Sequence, residues 1–142
     1  MQQQPNPNSY PTRLLHTMLR VGDLERSVAF YRDALGMQEL RREDYPDGRF
    51  TLAFLGYGDE TETSVLELTH NYDETAYTHG RGFGHLAVAV TDIHATCERL
   101  AALGVSIIRP PGPMVHAATG GQRDVIAFIE DPDGYRVELI LQ

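Results

Sequence analysis

Apolar residues along the chain fall into two patterns, and the pair of patterns occurs twice. Leu15, Thr17, Leu19 and Val21 alternate with His16, Met18 and Arg20, the period of two expected of a strand. Asp23 follows as an N-cap, then Leu24, Val28, Tyr31 and Leu35 on one face of a helix, then Gly36 as a stop. The second copy begins at His85, with Leu86, Val88 and Val90 as its apolar face. It continues through Asp92, the helical face Ile93, Cys97, Leu100 and Leu103, and Gly104. In each copy a valine stands at the fifth position after the histidine, Val21 and Val90. Such self-similarity marks a duplicated module.

The later segments repeat as well. Met37 to Arg42 corresponds to Val105 to Arg109, Arg49 to Leu55 to Val125 to Ile129, and Ser64 to Thr69 to Tyr135 to Leu141. Turn chemistry separates them at Asp44-Tyr-Pro-Asp-Gly48 and Asp131-Pro-Asp-Gly134, and a longer loop runs from Pro110 to Arg123. The pattern predicts an α+β fold of two βαβββ modules, each a curled mixed sheet with a covering helix. The expected layout is a polar, disordered tail over 1–12, module one over 13–72, a linker over 73–83 and module two over 84–142.

Composition narrows the function. With 142 residues and 42% hydrophobic content, the chain makes one ordinary domain or two small modules sharing a core. No apolar run approaches the roughly 20 residues of a membrane span, and the first residues lack a secretory pattern, so the cytoplasm is the default expectation. A net charge of −8 argues against a nucleic-acid partner. One cysteine excludes an internal disulfide and a multi-thiol metal site. Cys97 takes the slot of Val28 on the repeated helix and reads as a small core residue.

The candidate chemistry lies on the faces opposite the helices. His16 shares a face with Met18 and Arg20, and His85 with Ala87 and Ala89; Glu67 faces away from Leu66 and Leu68, and Glu138 away from Val137 and Leu139. If the first and fourth strands of each module lie side by side, His16 meets Glu67 and His85 meets Glu138. Singly, a strand histidine is more often structural and a strand glutamate more often solvated. The matched pairs reverse that reading, because two imidazoles and two carboxylates suit a borderline divalent metal. His70, His79, His94 and His116 have no counterpart in the repeat and read as surface or loop residues.

The stretches Leu14-Leu-His-Thr-Met-Leu-Arg-Val-Gly-Asp-Leu24, Ser27-Val-Ala-Phe-Tyr31, Val65-Leu-Glu-Leu-Thr69 and Ile126-Ala-Phe-Ile-Glu-Asp-Pro-Asp-Gly-Tyr-Arg-Val-Glu-Leu139 closely resemble the lactoylglutathione lyase (glyoxalase I) family of the vicinal oxygen chelate superfamily. The resemblance implies the paired βαβββ fold, and metal ligation by His16, Glu67, His85 and Glu138. It implies a homodimer with its sites at the subunit interface. The implied reaction isomerises the hemithioacetal of methylglyoxal and glutathione to S-D-lactoylglutathione through a metal-stabilised enediolate. Glu138 is the expected base, with Glu67 serving the other stereoisomer. Arg20 and Asn71 match positions that hold the γ-glutamyl end of glutathione, and Arg81 matches an arginine of animal-type members.

The resemblance favours Ni²⁺ or Co²⁺, with Zn²⁺ able to use the same ligands. It departs from the family after Gly112-Pro-Met114, where many bacterial relatives have a lysine and this chain has Val115; Arg123 is the expected replacement for that carboxylate anchor. Phe54 and Phe128 serve either core packing or a methyl pocket. Three readings stay open from sequence: the lyase, another reaction of the same metal scaffold such as an epimerase or dioxygenase, and a metal-free binding protein of the bleomycin-resistance kind.

Overall fold

A computed structural model describes residues 2–142; Met1, the start of the segment read as a tail, lies outside them. Each module forms one four-stranded sheet. Module one contains β1 (His16–Arg20), α1 (Leu24–Ala29), β2 (Gln38–Tyr45), β3 (Phe50–Gly56) and β4 (Val65–Asn71). Module two contains β5 (Leu86–Val90), α2 (Ile93–Ala102), β6 (Ile107–Pro113), β7 (Val125–Glu130) and β8 (Arg136–Leu141). The strand orders are β1-β4-β3-β2 and β5-β8-β7-β6, so first and fourth strands are neighbours in both sheets. Those two pairs run parallel and the rest antiparallel. Before them, residues Pro7–Ser9 make a 3-10 turn, and Arg13 donates to the Glu60 carbonyl at 2.8 Å.

The capping signals work as their chemistry requires. The Asp23 carboxylate accepts from the Arg26 amide at 3.1 Å and Asp92 from the Ala95 amide at 3.0 Å, satisfying first-turn donors. Gly36 and Gly104 take φ of +74° and +83° beyond the helix ends.

Three boundaries differ from the sequence reading. The first helix is α-helical only to Ala29; Phe30–Ala34 widens into a π turn, with the Leu35 amide reaching the Phe30 carbonyl at 3.3 Å. Periodicity of apolar residues cannot register one extra residue in a turn. Strand β2 takes in Asp44 and Tyr45, because Tyr45 pairs with Phe50 across the hairpin and stacks on it at 4.8 Å. The turn is therefore shorter than expected, and Arg49, not Gly48, carries the positive φ of +58°. Strand β6 runs on through Pro110, Pro111 and Pro113, which the sequence places in a loop. It is an edge strand with two register shifts, a position where missing amide donors cost no ladder bond.

One apolar core joins the two modules, with Val28, Leu55 and Leu68 from the first and Leu100, Ile129 and Leu139 from the second. Cys97 is buried in it, and burial pushes its thiol above the ordinary value. Polar connections come from Arg99, which donates to the Ala34 carbonyl at 2.6 Å, and from the Asp131-Pro-Asp-Gly134 turn. Asp131 accepts from the Tyr31 hydroxyl at 2.7 Å, and Asp133 accepts from the Gly22 amide at 2.9 Å and the Ser27 hydroxyl at 3.1 Å. The Tyr135 hydroxyl donates to the Arg20 carbonyl at 2.8 Å. No helix among the described residues is long and apolar enough to cross a membrane.

Candidate active site

The parallel ladders decide which side chains meet. In module one Met18 registers with Glu67, and in module two Ala87 registers with Glu138. Each histidine stands two residues before the registered position and therefore shares its face. The result is the same geometry twice: His16 Nε2 lies 2.8 Å from Glu67 Oε2, and His85 Nε2 lies 3.2 Å from Glu138 Oε1. The side-chain exposures match too, 38% and 13% for the first pair, 40% and 13% for the second. Each imidazole is open to solvent while its carboxylate is largely covered.

The third member of each set comes from the third strand. Phe54 registers with Glu67 and Phe128 with Glu138 across the antiparallel ladders. Their rings meet the histidines edge-on, at 5.5 Å and 79° for His16 and 5.2 Å and 78° for His85. The two phenylalanines thus hold the imidazole planes, a role that periodicity alone could not separate from core packing. The modules diverge behind them. Arg41 stacks over Phe54 at 3.7 Å and is ion-paired to Glu43 and Glu60, whereas Arg109, registered with Phe128, binds the carbonyls of Gly112, Pro113 and Ile126.

Within one chain the four residues do not converge. Among the described residues no group of three or more His, Cys, Asp or Glu is placed to hold a metal. The pairs form as expected, but the sequence argument for one four-ligand set is not met by a single copy.

Arg20 ends β1 on the His16 face, and its cavity of 200 Å³ is shared with Met18, Tyr77, His79 and Tyr135. Asn71 ends β4 and donates to the Tyr77 hydroxyl at 3.1 Å. Tyr77 therefore links the two positions, and nothing in the unpatterned linker singled it out. Arg81 stands exposed four residues before His85, and Arg123 stands exposed on a narrow hairpin closed by the Met114 amide on the Asp124 carbonyl at 2.9 Å. Among the described residues neither has an ion pair.

Two of the four histidines set aside from sequence are not simple surface residues. His70 is part-buried on β4, and the His79 ring lies flat on Tyr135 at 4.0 Å and 4°. His94 and His116 are exposed.

The duplicated βαβββ unit is the mark of a protein class, and the chain belongs to it: residues 13–139 match the Glyoxalase/Bleomycin resistance protein/Dioxygenase superfamily. Among curated relatives, the lactoylglutathione lyase of Neisseria meningitidis serogroup A is 59% identical over 128 residues, spanning 90% of this chain and 89% of that one. The probable lactoylglutathione lyase of Synechocystis sp. is 57% identical over 127 residues, spanning 89% and 93%. Among solved structures, glyoxalase I from Zea mays superposes with a TM-score of 0.83 at 45% identity, covering 92% of this chain but only 44% of the maize chain. The chain thus spans under half of that protein. The trypanothione-dependent glyoxalase I of Leishmania major gives 0.78 at 43% identity, covering 92% and 87%.

Proposed function

We propose that the protein is a lactoylglutathione lyase, isomerising the hemithioacetal of methylglyoxal and a glutathione-type thiol to the lactoyl thioester. The observation that carries the reading is the His–Glu–Phe arrangement, built at the same register in both modules of a chain 59% identical to a lactoylglutathione lyase.

The donor set fits a divalent metal. Each pair presents one imidazole nitrogen and one carboxylate oxygen to a common point, with no thiolate, on a face open enough to admit further oxygen ligands. His16, Glu67, His85 and Glu138 would hold it, the two pairs coming from two chains of a homodimer, since one chain keeps them apart. Bound there, a divalent metal would supply Lewis-acid charge to stabilise negative charge developing on the adduct. Ni²⁺ or Co²⁺ is the favoured occupant, and the cytoplasm the proposed location.

The chain's own groups account for the proton movement. Glu138 removes the proton from the carbon that carries sulfur and hydroxyl, then returns it to the neighbouring carbonyl carbon; Glu67 does so for the other stereoisomer. The hydroxyl proton passes to the former carbonyl oxygen, so the change is an isomerisation with no net loss or gain. The low exposure of both carboxylates limits exchange of that proton with water. Arg20 and Asn71 orient the γ-glutamyl end, and Arg81 is assigned to the same thiol.

The test uses metal-stripped protein reconstituted separately with Ni²⁺, Co²⁺ and Zn²⁺, following thioester absorbance with methylglyoxal and glutathione. The reading expects turnover with at least one metal and a ranking led by Ni²⁺ or Co²⁺. Silence with all three, on protein that binds metal, would move the scaffold to another thiol or reaction.

A further inference from the structure

The His85 side of module two opens on a cavity of 370 Å³ whose walls include His79, Phe83, Phe128 and Arg136. No aspartate or glutamate is among the described residues that line it, and the adjacent Glu138 is engaged by His85. Arg136 alternates with buried Val137 and so shares the face of Glu138, about 7 Å along the strand. Among the described residues its guanidinium has no ion pair.

The internal repeat supplies a control for what this position needs structurally. In module one the residue registered with His16, two before Glu67, is Val65, which is buried. One step before the first registered pair of the second parallel ladder, the same slot beside His85 holds Arg136. The fold is built equally well with valine there, so the guanidinium is not required by packing. The reverse holds at Arg20, whose slot in module two is Ala89. On its parallel ladder of first and fourth strands each module thus places one arginine on the His–Glu face, at different ends, whereas Arg41 and Arg109 on the second strands are taken up by Glu43 and Glu60 and by backbone carbonyls. That distribution suits an elongated ligand with two separated anionic groups.

We propose that Arg136 is a carboxylate-binding residue of the substrate site. It recognises, by a charge-assisted hydrogen bond in the cavity bounded by His79, the carboxylate of the peptide thiol that Arg20 and Asn71 do not hold. This rests on the lyase reading above. It assigns the second anchor to β8, in place of Arg123 on the exposed β6–β7 hairpin.

The test is calorimetric binding of S-methylglutathione, and of its glycyl monoethyl ester, to the metal-free full-length protein. Loss of a charge-assisted bond predicts that Arg136→Gln weakens the dicarboxylate ligand by about tenfold. The ester binds wild type and Arg136→Gln alike, and Arg136→Lys falls between. Thermal melting of each variant checks folding. Undiminished binding in Arg136→Gln, an equal loss with the ester, or a loss found instead in Arg123→Ala would each overturn the assignment. No binding to wild type would remove glutathione as the thiol of the lyase reading, and the inference with it, while the turnover test above decides the lyase reading itself.

Discussion

Glu67 and Glu138 are held alike, each opposite a phenylalanine and against an imidazole, so their mutants separate two roles. For Glu138→Gln with metal supplied in excess, kcat is expected to fall by about 10²–10⁴-fold, the usual contribution of a general base. Metal content measured alongside distinguishes loss of the base from loss of a ligand; full activity at full occupancy would remove Glu138 as base. Asp131 offers a second residue-scale prediction. Burial outweighs its three donors and raises its carboxyl above the ordinary 3.8. Stability from the protonated folded form is therefore fully present below 3.8 and lost as pH rises through the raised value. Asp131→Asn, neutral throughout, lacks that loss, so urea midpoints of mutant and wild type should shift in the mutant's favour from pH 4 to 7. A constant difference would contradict the assignment.

At the scale of elements, the repeat makes the fold legible. Period-two and helical patterns, two aspartate caps and two glycine stops place eight strands and two helices without knowledge of tertiary contacts. The His–Glu pairs were legible for the same reason, since parity along a strand fixes the face and the repeat supplies a second instance. What sequence could not give were features set by partners elsewhere in the chain. The π turn places Tyr31 against Asp131, the prolines of β6 are tolerated by an edge, and Tyr77 and His79 acquire their places only once the linker packs. Gly22 belongs with these. A Cβ there would lie 2.1 Å from the Thr75 carbonyl oxygen, a backbone atom of the linker. Gly22→Ala should therefore cost about 1–3 kcal/mol, as overpacking does, read as a lower midpoint in urea; an unchanged midpoint would show that the linker gives way freely.

The whole molecule is two modules fastened together by a shared core and the Asp131–Gly134 turn, with their His–Glu faces left apart. Removing one polar connection tests that fastening. Tyr31→Phe leaves a buried Asp131 oxygen without its hydroxyl donor and should destabilise by about 1–3 kcal/mol. On the proposed reading, a complete site would draw on module one of one chain and module two of another, and mixing experiments test this directly. One variant carries His16→Gln and Glu67→Gln, the other His85→Gln and Glu138→Gln; each alone is expected to be inactive. Unfolded together, refolded and supplied with metal, they should regain about a quarter of wild-type activity, because half of randomly paired dimers hold one intact site of two. No recovery from mixed, dimeric protein would contradict the account that paired ligands from two chains make one active site.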